Sequence, residues 1–128
     1  MGTPAIVQAD RIDGSCAIHQ VPSPSSGAPQ PAPPMPFSSP LLQGLSANVR
    51  IGGKAAATLG SSGTNTPPHV GLHASDPYAV ATMQTGRVLS GSATVLIGSQ
   101  PAATMSSQAT CCATPGTLVP SVATVLIG

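Results

Sequence analysis

One phrase, Ala-Thr-Val-Leu-Ile-Gly, stands at residues 93–98 and again at 123–128. A related stretch at 47–62 lies over 93–108 without a gap. Val49 falls on Val95, Ile51 on Ile97, Gly52 on Gly98, Ala56 and Ala57 on Ala102 and Ala103, and Thr58 on Thr104. Internal repetition constrains the fold strongly, because each copy must build the same structural unit. The copy at 123–128 holds only the first half of that unit. The second half stands at the other end of the chain, where residues 3–10 lie on 100–107, with Pro4 on Pro101 and Ala5 on Ala102. The sequence therefore predicts three units, the third assembled from both ends, with Met1 and Gly128 close together.

Each unit alternates. In 93–98, Thr, Leu and Gly fall on one side and Ala, Val and Ile on the other, the period of a strand. Gly followed by Ser-Gln or Gly-Lys predicts a tight turn, and the following Ala-Ala-Thr a returning strand. A lone hairpin is marginal in water, so three must bury their inner faces together. The expected fold is all-β, with three hairpins around an approximate threefold axis.

Three unequal connections join the hairpins. Residues 21–40 hold eight prolines and no charged residue, and read as an extended external loop. Residues 62–86 form a second loop, and 108–117 a short third one. No capped amphipathic helix of useful length appears.

Composition removes several function classes. The chain of 128 residues is one domain's worth, with only 5% charged residues and a formal net charge of +1. That leaves no basic face for nucleic acid and no polybasic membrane patch. No stretch reaches the ~20 apolar residues of a membrane span. The start lacks the basic and long apolar regions of a secretory signal, so cytoplasmic synthesis without a signal peptide is expected. Three cysteines make no even disulfide framework and favour a reduced compartment or a metal.

The histidines all fall in connections at the same end of their repeats: His19 after the first unit, His69 and His73 after the second. Cys111 and Cys112 follow the third, and Cys16 lies three residues before His19. Threefold symmetry would gather these connections at one apex. Three imidazoles and one thiolate are a closed tetrahedral zinc set. The expected ligands are His19, His69, His73 and Cys112, with Cys111 or Cys16 as the alternative sulfur. Enzyme motifs are missing. Gly44-Leu45-Ser46-Ala47 lacks the second glycine of a nucleophile elbow, and Gly52-Gly53-Lys54-Ala55 lacks the spacing of a phosphate loop. Asp10, Asp13 and Asp76 offer no acid–base pair and read as turn and cap residues.

Three short hairpin units, one containing Pro101-Ala102-Ala103-Thr104, a His/Cys apex and closure across the termini resemble the PAAR-repeat spike-tip proteins of contractile injection systems. Residues 90–105 carry the resemblance most specifically and 63–73 add to it. The chain departs from the pattern at Thr58, Thr104 and Val7, where the motif has arginine. The resemblance implies a small cone with one structural zinc at its sharp end and no enzymatic activity. It implies a monomer that caps a trimeric VgrG-like β-helical spike, one tip per trimer, and helps pierce a target envelope without stable membrane insertion. It would be assembled at the tip of a type VI or extracellular phage-tail-like particle and carried outside the cell; the lack of fused sequence at either end leads us to expect no attached toxin domain. A small zinc hydrolase and a secreted β-repeat protein are the competing expectations.

Overall fold

The repeated phrase folds as a hairpin in all three places, and the connections between hairpins fold as strands too. The computed structural model describes residues 2–128. In chain order the strands are β1 (Thr3–Pro4), β2 (Arg11–Cys16), β3 (Gln20–Pro22), β4 (Pro29–Pro31), β5 (Met35–Pro40), β6 (Arg50–Ile51), β7 (Lys54–Ala55), β8 (Ser62–Thr64), β9 (Thr85–Val88), β10 (Leu96–Ile97), β11 (Gln100–Pro101), β12 (Ala109–Cys111), β13 (Thr114–Val119) and β14 (Leu126–Ile127). The only helical element among the described residues is a 3-10 turn at Ala81–Met83. No helix there is long and apolar enough to cross a membrane.

The repeat hairpins share one register. Ile51 pairs with Lys54 in β6–β7 and Ile97 with Gln100 in β10–β11. Between the two chain ends, Ile127 pairs with Thr3 and Leu126 with Pro4 in β14–β1. The two connected hairpins turn on Gly52-Gly53 and Gly98-Ser99, all at positive φ, which gives the twist that two-residue hairpins need. Met1 lies outside the described residues; the pairing of β1 with β14 itself is as the repeats require.

Where the hairpins meet, the backbone closes a ring. Ile6 N donates to Ala103 O (3.1 Å), Ala103 N to Ala57 O (3.0 Å), and Ala57 N to Ile6 O (3.0 Å). Bridges Ala5–Thr104, Val7–Ala56 and Thr58–Ala102 follow the same cycle. Each unit then turns on a side-chain cap: Asp10, Ser61 and Ser107 accept from the N–H of Val7, Thr58 and Thr104, each at 2.9 Å. Three backbones can approach an axis this closely only if the residues there are small. Ala5, Ala56, Ala57, Ala102 and Ala103 are all buried, and Ile6 alone fills the centre.

The connections build a second tier. Each contributes a hairpin (β2–β5, β8–β9 and β12–β13), and together they form one antiparallel sheet in the order β5-β2-β13-β12-β9-β8. The ends of that sheet almost meet. Leu42 N and Gln43 N donate to Ser62 O, Thr66 N donates to Ser38 O, and Ser38 N donates to Asn65 Oδ1 across the seam. Inside lie Ile12, Phe37, Leu41, Val88, Ala109, Cys111 and Leu118. The tube is narrow enough to require missing side chains. A Cβ on Gly116 would strike Cys111 Sγ, and one on Gly63 would strike Pro40 O.

The proline-rich run therefore divides. None of residues 20–34 is buried, and they carry only the β3–β4 ribbon. Residues 35–40 instead form β5, with Phe37 and Ser39 turned into the core. Pro36 and Pro40 fall where the backbone nitrogen faces the seam, as Ser38 N does, so their missing N–H breaks no ladder with β2.

Candidate metal centre

All three connections deliver side chains to one end of the six-stranded sheet. Cys16 is the last residue of β2, and His19 follows three residues later. His69 comes from the excursion 65–84 between β8 and β9, and Cys112 from the turn between β12 and β13. Their four ligand atoms lie within 4.8 Å of one another, with Cys16, His19 and His69 buried and Cys112 half-buried. Cys112 occupies the left-handed region at φ 56°, rare for a residue with a side chain. The turn thus sends its sulfur to the site while Cys111, its neighbour, points into the tube.

Hydrogen bonds fix which ring nitrogens face the centre. His19 Nδ1 donates to Asp76 Oδ2 at 3.2 Å, and His69 Nε2 donates to the Pro36 carbonyl at 2.8 Å. A carbonyl oxygen can only accept, so the His69 proton sits on Nε2 and its Nδ1 carries a lone pair. The Asp76 carboxylate imposes the same choice on His19 and leaves Nε2 bare. These two bare nitrogens face each other at 3.0 Å, with Cys112 Sγ 3.7 Å from His19 Nε2. Lone pairs so placed repel unless a cation or a proton lies between them. Tetrahedral zinc would need about 3.3 Å between nitrogens and about 3.6 Å between nitrogen and sulfur. The donor set fits a metal ion, and the group can hold one.

The surroundings hold the site in shape. Asp76 Oδ2 also accepts from Gln20 N and Oδ1 from Tyr78 N, both at 2.8 Å. Burial pushes the Asp76 carboxyl up, but those N–H groups and the His19 ring outweigh it and hold it below its ordinary value. The side chain of Gln84, fully buried, makes four hydrogen bonds. Its Oε1 accepts from His69 N (2.7 Å) and Asn65 Nδ2 (3.2 Å), and its Nε2 donates to His69 O (3.1 Å) and Tyr78 O (2.9 Å). It pins both sides of the excursion that carries His69 and Asp76. Burial raises the Cys16 thiol, a shift partly offset by contacts to Cys112 and Thr114; burial and the neighbouring Cys16 raise Cys112 as well. Binding a metal would displace protons from both thiols.

Of the four residues expected from sequence, His19, His69 and Cys112 come together. His73 does not. Its Nδ1 meets Ser75 Oγ at 2.8 Å, its backbone N–H donates to Gln20 O at 2.8 Å, and it stays half-exposed outside the group. Cys16 takes the fourth place, giving two thiols and two imidazoles. The Cys16-x-x-His19 spacing was the available signal. Cys111 is wholly interior, its thiol pushed up to about 12 by burial and by Cys16 and Asp13. Asp76 does cap a turn through Tyr78, but its second task of orienting His19 leaves no mark in the sequence.

Compared with known protein families, with curated proteins and with solved structures, the chain finds no match in any of the three.

Proposed function

We propose that this chain is the tip of a trimeric spike in a contractile injection machine, and that its apical site holds one structural zinc. The observation that carries the reading is the cyclic ring of backbone hydrogen bonds through Ile6, Ala57 and Ala103. One chain presents three equivalent hairpins there, a match for three identical strands ending on a shared axis. Apolar side chains recur on these hairpins and remain exposed: Val49, Leu96, Val125 and Leu126. A β-helical trimer ends in open strand edges, and a cap with internal threefold symmetry covers all three at once. The far tier is a narrow, nearly closed six-stranded tube with the two-thiol, two-imidazole group at its end. Such a point suits driven penetration of an envelope, after which the tip is carried outside the cell. Four protein donors leave no open position for a substrate water, which favours a structural metal over a hydrolase.

Co-expression and co-purification with a trimeric β-helical spike protein test the partner. Native mass measurement is expected to give one tip for three spike chains, and a tip homotrimer or absence of binding would overturn the reading. Elemental analysis is expected to find one zinc per chain. A folded, stable protein without metal would remove that part of it.

A further inference from the structure

We infer that Cys16 and Cys112 can close the same site covalently, as a disulfide formed when metal is absent and a small-molecule disulfide is present. The inference rests on the metal-site reading only for what the disulfide displaces. Both sulfurs belong to a group whose ligand atoms lie within 4.8 Å of one another, so a bond of about 2.05 Å needs a local movement rather than a refolding. The two residues come from different hairpins but meet at one end of the sheet. Cys16 closes β2, and Thr114 Oγ1, just past the Cys112 turn, reaches Ser15 O at 3.4 Å. Their exposures differ in a useful way: Cys112 is half-buried and Cys16 is fully buried. Cys111 is excluded by direction. Its sulfur fills the tube beside Gly14, where an added Cβ would lie 2.7 Å from it.

The sequence of steps follows from this arrangement. The Cys112 thiolate attacks one sulfur of a disulfide such as oxidised glutathione, whose S–S bond breaks and releases one thiol. Cys16 Sγ, deprotonated, then attacks Cys112 Sγ of the mixed disulfide and expels the second thiol. Two protein thiols are oxidised by two electrons and one disulfide is reduced to two thiols. A metal held by the four residues loses two of its donors. With Cys16 Sγ within 4.8 Å of Cys112 Sγ, the mixed disulfide has a resolving thiol beside it and does not persist.

The experiment uses the full chain, stripped of metal, desalted and exposed under native conditions to excess oxidised glutathione. The protein is then denatured, its remaining thiols are alkylated, and peptides are mapped without reduction. The expected product has a Cys16–Cys112 link and a single alkylated thiol at Cys111. Zinc-loaded protein at a hundredfold excess of free metal over its dissociation constant is expected to form the link about a hundredfold more slowly, since only about 1% of sites are then free. It should release one metal ion per link. Cys16→Ser is expected to keep a glutathione adduct on Cys112. A persistent adduct on Cys112 in the unsubstituted chain, or links through Cys111, would overturn the inference. A chain that binds no metal yet forms the link supports it and removes the metal reading; one that binds a metal and never forms the link does the reverse.

Discussion

Asp76 decides how His19 stands in the site. Its carboxylate receives two backbone N–H groups and one ring N–H, so it links the strand exit after β2 to the excursion that carries His69. Outer partners of this kind commonly account for about 10–100-fold in metal affinity. Asp76→Asn keeps an acceptor for Tyr78 but turns an amide donor toward His19 and Gln20. Competition against a chromophoric chelator should therefore show zinc affinity lower by that factor, with one-to-one stoichiometry intact. The pH dependence follows from the lowered carboxyl. Its stabilising contribution is complete above the unfolded value of 3.8 and is lost as pH falls through the lower folded value. The stability gap between metal-free wild type and Asp76→Asn should thus narrow below about pH 4. His73→Ala should leave metal content unchanged and stability within ~0.5 kcal/mol. Cys112→Ser should lose tight zinc binding. Cys111→Ser instead buries a hydroxyl in the apolar tube, at a cost of about 1–3 kcal/mol in denaturant unfolding with metal binding retained. Of the candidate ligand set, His19, His69 and Cys112 were legible because repeats place their connections at one end. Cys16 against His73 was not, since the choice depends on which way the 65–84 excursion folds over the sheet, and Gln84 and Asp76 settle that by contacts far apart in sequence.

At the level of elements, the two tiers differ in how they could be read. The repeat hairpins were legible as units, because matched phrases fix matched registers. Their returning strands are Lys54–Ala55 and Gln100–Pro101, earlier than the expected Ala-Ala-Thr, whose residues instead bridge to the neighbouring units around the axis. The six-stranded sheet was not legible, because the connections share no sequence with one another and their strands pair through geometry the ring imposes. Phe37 inside the proline run was the one hint that β5 is interior. The tube depends on absent side chains more than on apolar ones. Gly116→Ala would drive a methyl group into Cys111 Sγ and to 2.7 Å from Ile12 Cγ2, neither able to retreat within the sheet. Overpacking of this kind costs about 1–3 kcal/mol, read as a lower denaturant midpoint with unchanged slope. The exposed ribbon behaves oppositely. Replacing residues 23–28 with a two-residue Asn-Gly turn should leave stability within ~0.5 kcal/mol and metal content unaltered, because no buried side chain is removed.

For the molecule as a whole, the critical pairing joins the residues most distant in sequence. β14 supplies Ile127 to the cluster formed with Ala5, Ala56, Ala102 and Ile97, and Val125 O accepts the N–H of Ala5 at 3.0 Å. Deleting residues 123–128 forfeits the burial of Ile127, worth about 1.5–3 kcal/mol. It also removes the hydrogen bond of Ala5 N–H to Val125 O, worth about 0.5–1.5 kcal/mol. Against a total stability of about 5–15 kcal/mol, that loss should lower the melting temperature steeply and cost the cooperative transition in the metal-free protein. Bringing distant segments together also carries a loop-closure cost that a local hairpin avoids. That cost can be removed by design. Joining Gly128 directly to Gly2, with Met1 omitted, spells Ile127-Gly128-Gly2-Thr3, which repeats the pattern of Ile51-Gly52-Gly53-Lys54 and needs the same register. Both central positions become glycines able to take the positive φ that Gly52 and Gly53 adopt. The chain is then reopened between Ser25 and Ser26, at the exposed tip of the β3–β4 ribbon, where no core contact is cut. This permuted protein should fold, bind one zinc and unfold in a single transition at or above the wild-type temperature. Failure to fold would show that the three units are not interchangeable around the axis, and would overturn the threefold closure itself.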